Sequence, residues 1–254
     1  MLSLVVLYRD DSLQVARSTY LFYDYNTVKS NADRIIGVTE GCVNYVAKRF
    51  NISPKKIEMI PLGADIELFY KDDKKREAIR KKYNIKPGNF VIIYTGKVIK
   101  KKGVHLIFEA LNRINKKNNI ICMIVGNGDK EYSDSIEILA DKYKIKLIKI
   151  DGVSNKELPA FYSASDLAVW PVEATIGTIE AMACSLPIIC NKDLNERYEN
   201  GNGFGVNPGN IEELAEKINF FIQNPSKTEK MGESSKKVVL DNLSWRIIAE
   251  KFLK

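Results

Sequence analysis

The sequence predicts an α/β fold, in which a doubly wound parallel sheet follows a small and incomplete α/β portion. From residue 90 onward, short apolar runs alternate with amphipathic helical segments. The runs are apolar on both faces, as in parallel strands that helices cover on both sides. The chain has 254 residues and is 45% hydrophobic, which is enough to bury a sizeable core. Right-handed crossovers then place a ligand cleft at the carboxyl ends of the strands.

The larger, C-terminal part contains five predicted strands, at residues 90–95, 120–125, 144–150, 167–170 and 188–190. Apolar residues at helical spacing predict helices at residues 104–114, 135–143, 178–184, 212–222 and 236–253. The last of these is expected to break near Ser244. Asn155 is expected to cap one further helix, whose first turn tolerates Pro159 because that turn has no N–H to lose.

The beginning of the chain is predicted to form less than a complete α/β domain. Its expected elements are a tyrosine-rich helix at residues 12–30, a strand at 34–38, a helix capped by Thr39 and running to about residue 50, and a short strand at 57–60. We therefore divide the chain into an N-terminal portion, residues 1–70, and a larger domain, residues 71–254. The last helix is expected to return to the N-terminal portion.

Histidine and cysteine usage excludes several classes of site. A single histidine, His105, excludes metal sites built on two histidines. The cysteines contain no Cys-x-x-Cys pair, which argues against zinc-ribbon and thioredoxin-like sites. Their apolar neighbours predict buried, reduced thiols, as in a cytosolic protein, for Cys42, Cys122, Cys184 and Cys190.

Apolar runs long enough for targeting or membrane insertion are not found in the sequence. The run at residues 2–8 is short and is followed at once by Arg9, so a signal peptide is not expected. Nothing else approaches the ~18–20 apolar residues of a membrane span. We expect a cytoplasmic protein, with any membrane contact peripheral and at the inner face.

Positive charge is concentrated in one stretch. The chain has a net charge of +7, and residues 71–102 hold twelve basic against three acidic residues. A solvated surface helix followed by a loop accounts for this stretch. The alternatives are a surface for anionic lipid, for nucleic acid or for a phosphate-bearing ligand. We expect no nucleic-acid partner, because aromatic residues are not interleaved with the basic ones.

Two of the loops at the predicted cleft are rich in glycine. Residues 96–103 carry Lys97 and Lys102 between glycines, which permit a close backbone approach. The compact charge of lysine suits a diphosphate, and a solvated basic turn is the alternative. Residues 126–129, with the sequence Gly-Asn-Gly-Asp, indicate by themselves only a turn at a strand end.

A third loop, within residues 170–184, leads into a helix at Gly177 and Thr178. Free N–H groups and the positive end of the helix dipole favour an anion there. Glu180, in the first turn, can accept hydrogen bonds from vicinal hydroxyls. The alternative role for Glu180 is compensation of the dipole, worth about 0.3–1 kcal/mol. A basic loop and this carboxylate on one sheet edge together favour a nucleotide sugar as the ligand.

Seven segments match the motifs of a known family in their order along the chain. They are Ala-Asp-Arg-Ile-Ile-Gly-Val-Thr at 32–39, Ile-Pro-Leu-Gly-Ala-Asp at 60–65, Gly-Lys and Lys-Gly at 96–97 and 102–103, Val-Gly-Asn-Gly at 125–128, Ala-Ser-Asp-Leu at 164–167, Glu-Ala-Met-Ala at 180–183 and Ser-Trp at 244–245. In these motifs the chain resembles the retaining glycosyltransferases of the GT-B fold, in the large family numbered four (glycosyl transferases group 1). The resemblance implies a Rossmann-like C-terminal donor-binding domain and a truncated N-terminal domain.

The resemblance also implies roles for individual residues. Lys102 would bind the donor diphosphate, and Lys97 would do so where the family usually has arginine. Glu180 would accept the ribose hydroxyls. The backbone N–H groups around Gly177 and Thr178 would hold phosphate. Neither a metal nor another cofactor is expected.

Three features depart from the family pattern. Glu173, the candidate for the donor sugar, precedes Glu180 by seven positions instead of eight. Ser185 stands where the family has glycine. The N-terminal portion lacks the glycine-rich loop and the acceptor-facing residues, often including histidine. His105 is expected to be a surface or helix-start residue, and no catalytic residue is assigned.

The expected function is transfer of a sugar from a nucleotide diphosphate sugar, with retention. A second chain, or self-association, is expected to supply the acceptor half. Two alternatives stay open: a binding module that holds the nucleotide sugar without catalysis, and an inactive truncated fragment.

Overall fold

The computed structural model describes residues 4–7, 34–115, 119–173 and 175–253. They fall into two compact units, within the bounds 1–62 with 246–254 for the first and 63–245 for the second. The predicted division into residues 1–70 and 71–254 stays a prediction. The predicted helix at residues 12–30 lies outside the described residues.

Numbered in chain order among these residues, the strands are β1 (Leu4–Leu7), β2 (Arg34–Gly37), β3 (Ile57–Met59), β4 (Phe90–Thr95), β5 (Ile120–Val125), β6 (Lys146–Ile150), β7 (Leu167–Val169), β8 (Ile188–Asn191) and β9 (Gly203–Val206). The helices are α1 (Glu40–Phe50), α2 (Asp73–Lys82), α3 (His105–Asn112), α4 (Lys130–Tyr143), α5 (Leu158–Ala164), α6 (Gly177–Ala183), α7 (Asn195–Tyr198), α8 (Ile211–Gln223), α9 (Pro225–Val238) and α10 (Trp245–Phe252). The helical region predicted at 236–253 begins earlier, with α9. Its break at Ser244 is confirmed, since a π-helical turn ends just before that residue.

In the first unit, β1, β2 and β3 form a parallel sheet in that order. The predicted helix cap is confirmed, because the Thr39 side chain accepts a hydrogen bond from the Cys42 N–H at the start of α1. Ile36 and Ile60 pack with Ile248 of α10 in a small core. Burial of these apolar side chains holds the last helix on this sheet.

The second unit contains a six-stranded sheet in the order β6-β5-β4-β7-β8-β9, and every neighbouring pair is parallel. The predicted fold class, an α/β doubly wound parallel sheet, is confirmed. From β4 the chain builds first toward β5 and β6, and then continues on the other side with β7. The boundary between β4 and β7 is therefore the switch point at which sheets of this kind bind ligands.

The strands follow the predicted apolar runs closely. All five predicted strands of this unit are present, and the central ones are fully buried; Val91, Ile92 and Ile93 have no exposed area. The apolar pattern does not predict β9, because Gly203 and Gly205 have no side chain that could alternate. Glycine at 203 is required by packing, since a Cβ there would lie 2.3 Å from the main-chain oxygen of β8.

Two helices begin away from their predicted starts. Asp129 accepts a hydrogen bond from the Tyr132 N–H and caps α4, so this helix starts well before its apolar periodicity does. The expected cap by Asn155 is wrong, because Glu157 stands at the N-cap position of α5. Pro159 does lie in the first turn of α5, as predicted.

Helix α2 shows why part of the basic stretch is not a solvated face. Arg76 and Arg80 both point inward and donate to main-chain carbonyls at the end of α5, at 2.8–2.9 Å. Both guanidinium groups also contact the Asp166 carboxylate, at 2.7 and 3.5 Å. The same carboxylate accepts from the Val91 N–H of β4 at 2.8 Å. These arginines satisfy carbonyls that have no partner within α5, and they join α2 to the sheet.

Ser185 lies in the turn between α6 and β8 and has a φ of 60°, in the left-handed region. A side chain in this region costs of the order of 1 kcal/mol, which glycine avoids. Ser185, which stands where the family has glycine, therefore introduces local backbone strain. The turn also packs tightly on α9, since a Cβ at Gly232 would lie 2.2 Å from the Ser185 main-chain oxygen.

The cysteines are all buried and unpaired, as predicted from their apolar neighbours. Burial raises the pKa of the Cys122 thiol to about 12, so the protonated form dominates at neutral pH. Among the described helices, none combines the length and the apolar character that a membrane crossing requires.

We expect Asp166→Ala to lower the free energy of unfolding by about 2–4 kcal/mol, because two guanidinium groups and an N–H of β4 lose their acceptor. Chemical denaturation measures the change. The matched control is Glu77→Ala in the exposed part of α2, for which we expect a change below about 0.5 kcal/mol. Equal stability losses in the two variants would contradict a stabilising role for the contacts of Arg76 and Arg80 with Asp166.

Candidate functional site

Three loops meet at the carboxyl edge of the second sheet. In the register of β4 with β7, Ile92 pairs with Leu167 and Ile93 with Ala168, and β4 also pairs along its whole length with β5. Since all three strands are parallel, the segments after β4, β5 and β7 leave from the same edge. The sequence-predicted residues of the basic loop and of the α6 start are therefore brought to one side of the sheet.

The glycine-rich turn after β5 holds the basic loop in place. Val98 donates its N–H to Asn127 O and accepts from the Asp129 N–H, both at 3.0 Å. A Cβ on Gly126 would lie 2.0 Å from the main-chain oxygen of Gly96, and one on Gly128 would lie 1.9 Å from that of Val98. The interpretation of residues 126–129 as a plain turn is therefore incomplete, because only glycine permits this backbone approach.

An ion pair joins the basic loop to the loop after β7. Lys102 Nζ lies 2.7 Å from one carboxylate oxygen of Glu173, and Lys101 Nζ lies 3.2 Å from the other. Lys102 has only 17% of its side chain exposed. Burial opposes ionisation of Glu173, but the hydrogen bonds from Lys102 and Lys101 outweigh it and lower the pKa of that carboxyl. Lys97 is exposed, and its main-chain oxygen accepts from the Tyr94 hydroxyl at 2.9 Å.

The start of α6 packs directly against the end of β4. A Cβ on Gly177 would lie 2.7 Å from Thr95 Oγ1, so glycine lets the helix approach the strand. Thr178 is fully buried. The N–H groups of Gly177 and Thr178 donate to the side-chain and main-chain oxygens of Thr175, at 3.1 and 3.2 Å. A phosphate at these N–H groups would have to take the place of Thr175.

Glu180 is buried in the first turn of α6, with 6% exposure. Its Oε2 lies 3.5 Å from the Tyr162 hydroxyl, which is also 2.8 Å from Thr95 Oγ1. Burial raises the pKa of Glu180 to about 7, against an ordinary 4.5. The two glutamates of this region therefore differ. The neighbouring lysines stabilise the ionised form of Glu173, whereas Glu180 exchanges between its acid and carboxylate forms near neutral pH.

Arg197 is a residue of this region that the motifs do not reveal. It belongs to α7, after β8, and is only 6% exposed. Its Nη1 donates to Thr175 O at 2.9 Å and contacts Thr178 Oγ1. Arg197 thus fastens the turn that begins α6. Its only signal in the sequence is a basic residue soon after an apolar strand of the same sheet.

His105 lies at the start of α3, as expected for a helix-start residue. Its Nδ1 is 2.7 Å from the Tyr132 hydroxyl, and its N–H donates to the same oxygen at 3.1 Å. Burial lowers its pKa. Among the described residues, no cluster of three or more His, Cys, Asp or Glu side chains could hold a metal ion.

A cavity of about 260 Å³ lies at the opposite edge of the sheet and not at these loops. It is lined by residues that precede strands, among them Asp166 before β7 and Pro187 before β8. Cys184 also lines it, with a thiol whose pKa burial raises well above the ordinary value. The candidate site is therefore formed by the charged strand-end loops and not by this cavity.

The sheet order and the strand-end loops define the class of protein, a doubly wound α/β protein, and its fold matches that of GT-B glycosyltransferases. Solved structures agree. Anabaena Alr3699/HepE, solved in complex with UDP, has a TM-score of 0.86 at 20% identity, over 98% of this chain and 70% of that chain. The C-terminal domain of LpcC from Francisella tularensis has a TM-score of 0.64 at 21% identity, over 72% of this chain and 99% of that chain.

The family model described as Glycosyl transferases group 1 matches residues 75–238, and the chain belongs to this family. Spore coat protein SA of Bacillus subtilis is 27% identical over 240 residues, which are 87% of this chain and 63% of that protein. The capsular polysaccharide biosynthesis glycosyltransferase CapM of Staphylococcus aureus is 28% identical over 232 residues, with 87% and 60% covered. The chain thus spans about three fifths of the length of these two relatives.

The burial of Glu180 predicts a stability that depends on pH. Its pKa is raised on folding, so its favourable contribution is complete below about pH 4.5 and is lost as the pH rises through about 7. Glu180→Gln cannot ionise. We therefore expect the melting temperature of the variant, relative to the parent, to rise between pH 5 and pH 8. Thermal melts in matched buffers measure this difference, and a difference that does not change with pH would contradict the assignment.

Proposed function

We propose that this chain binds a nucleotide diphosphate sugar and transfers the sugar with retention, in the manner of the glycosyltransferase family numbered four that its motifs resemble. One observation carries the proposal: Lys97 and Lys102 lie in the loop after β4, and the buried Glu180 lies in the first turn of α6 after the neighbouring strand β7, at the switch point of the sheet. The UDP and UDP-glucose complexes of the Anabaena protein support it as an analogy of fold.

We propose that Lys97 and Lys102 bind the diphosphate. Negative charge grows on the β-phosphate of the leaving nucleoside diphosphate as the glycosidic bond breaks, and positioned ammonium groups stabilise that charge more than they stabilise the bound donor. Each charge-assisted contact contributes about 1.5–3 kcal/mol. The N–H groups of Gly177 and Thr178 complete this diphosphate site once Thr175 turns away.

Glu180 is proposed to accept the ribose hydroxyls. Its carboxylate form accepts two hydrogen bonds better than its acid form, so a bound ribose favours ionisation. Binding near pH 7 would then release a proton from Glu180. Glu173 is proposed to face the donor sugar. No metal or other cofactor is proposed, because the lysines supply the positive charge that the diphosphate needs.

We further propose a cytoplasmic chain with peripheral contact at the inner face of the membrane. The exposed lysines of α2 support such a contact, because they face away from the inward-pointing arginines. A second chain, or a second copy of this one, is proposed to supply the acceptor half. A binding module without catalysis is the second candidate, and the transfer assay below distinguishes the two.

We expect Lys102→Ala, Lys97→Ala and Glu180→Ala each to weaken binding of UDP-glucose or a GDP-sugar about tenfold or more, because each removes a charged contact. Calorimetric titration measures the affinities. Lys230→Ala, an exposed lysine of α9, is the matched control and should bind like the parent. Unchanged affinity in the Lys102 and Glu180 variants would overturn the proposed site.

We expect the 254-residue chain by itself to show negligible sugar transfer to simple acceptors, while still binding the donor. Transfer assayed by release of UDP, with the donor-binding titration run on the same sample, separates the two activities. Rapid turnover by the chain alone would contradict the need for a second chain. Donor binding that is not followed by transfer, even when a second chain supplies the acceptor half, would favour a binding module without catalysis.

A further inference from the structure

The contact between Glu173 and the two lysines bears on what the basic loop can bind. The inference drawn from this contact rests on the proposed function. The residue proposed to face the sugar is the one whose carboxylate holds Lys102 at 2.7 Å and Lys101 at 3.2 Å. Lys102 is the least exposed member of this group, at 17%, and Glu173 is one-third exposed. A diphosphate and this carboxylate therefore compete for one ammonium group.

We infer that Glu173 is a specificity-determining residue of the lysine site, because its carboxylate occupies Lys101 and Lys102 and binding there requires an anion that displaces it. A diphosphate carries more charge than a carboxylate and displaces it. A neutral nucleoside offers the lysines no anion, so it leaves the contact intact. The lysine site thus rejects weak anions and accepts strongly charged ones.

This competition has a consequence for the product. The free energy needed to separate Glu173 from the lysines is subtracted from the affinity of every ligand that uses them. A donor sugar in contact with the released carboxylate recovers part of that free energy, whereas free UDP recovers none. Glu173 therefore lowers the affinity for the product, UDP, more than the affinity for the donor, and this difference favours product release.

The loop geometry supports an exchangeable contact. Glu173 lies two residues before Thr175, whose oxygens occupy the N–H groups of Gly177 and Thr178. The same short segment after β7 therefore satisfies both proposed phosphate-binding elements with its own oxygens.

Glu173→Gln keeps the size of the side chain and removes its charge, and partial exposure makes the substitution compatible with folding. We expect the full chain with this substitution to bind UDP about three- to tenfold more tightly than the parent, with no change for uridine. The matched control is Glu137→Gln, which breaks another lysine–glutamate contact, that with Lys149. It should leave both affinities unchanged.

A double-mutant cycle locates the effect. On a Lys102→Met background, the gain from Glu173→Gln should shrink, because the main contact is already absent. Calorimetry with UDP and uridine provides all the affinities. UDP binding by the parent that is unchanged or weakened by Glu173→Gln would overturn this inference alone. Absence of UDP binding in the parent and in the Glu173 variant would overturn the proposed function, and the inference with it.

Discussion

The parallel pairing of β4 with β5 on one side and β7 on the other is the constraint on which the rest of the site depends. It places three loops on one edge of the sheet, and glycines then allow those loops to approach one another at backbone distance. Gly126 and Gly128 admit the basic loop, and Gly177 admits the start of α6 beside Thr95. Without these contacts the charged side chains would stand on separate, independently moving turns.

The electrostatics of this edge follow from how each charged group is buried. Glu173 keeps its charge because ammonium groups lie beside it, while burial of Glu180 favours the neutral form. Both residues are glutamates on one short segment, so the difference in their pKa values comes from their surroundings. Arg197 adds a buried guanidinium that fixes the turn between them.

The sequence predicted the fold class and the strands well, because central strands that are buried on both faces leave an unmistakable apolar run. It did not predict β9, because the glycines of that strand interrupt the apolar pattern. It also did not predict the early start of α4, which depends on the Asp129 cap. The role of the basic stretch was the hardest feature to predict. Composition cannot distinguish an arginine that donates to the carbonyls at the end of α5 from a lysine exposed to solvent. Only the fold shows that Arg76 and Arg80 converge on Asp166.

For the candidate site, the motifs identified three loops that the structure brings to one edge of the sheet, but not the contacts between them. Lys102 and Glu173 are 71 positions apart, and nothing in either segment indicates that one neutralises the other. Arg197 lies outside the motifs quoted above, so it could be found only from its hydrogen bonds. Pairings of this kind depend on strand order and register, which a single sequence does not encode explicitly.

The most direct test of the central claim is a crystal structure of this chain with UDP. We expect diphosphate oxygens within hydrogen-bond distance of Lys102 Nζ, ribose hydroxyls at the Glu180 carboxylate, and Glu173 turned away from the lysines. UDP bound elsewhere on the chain, or bound with the contact between Lys102 and Glu173 intact, would contradict the central claim.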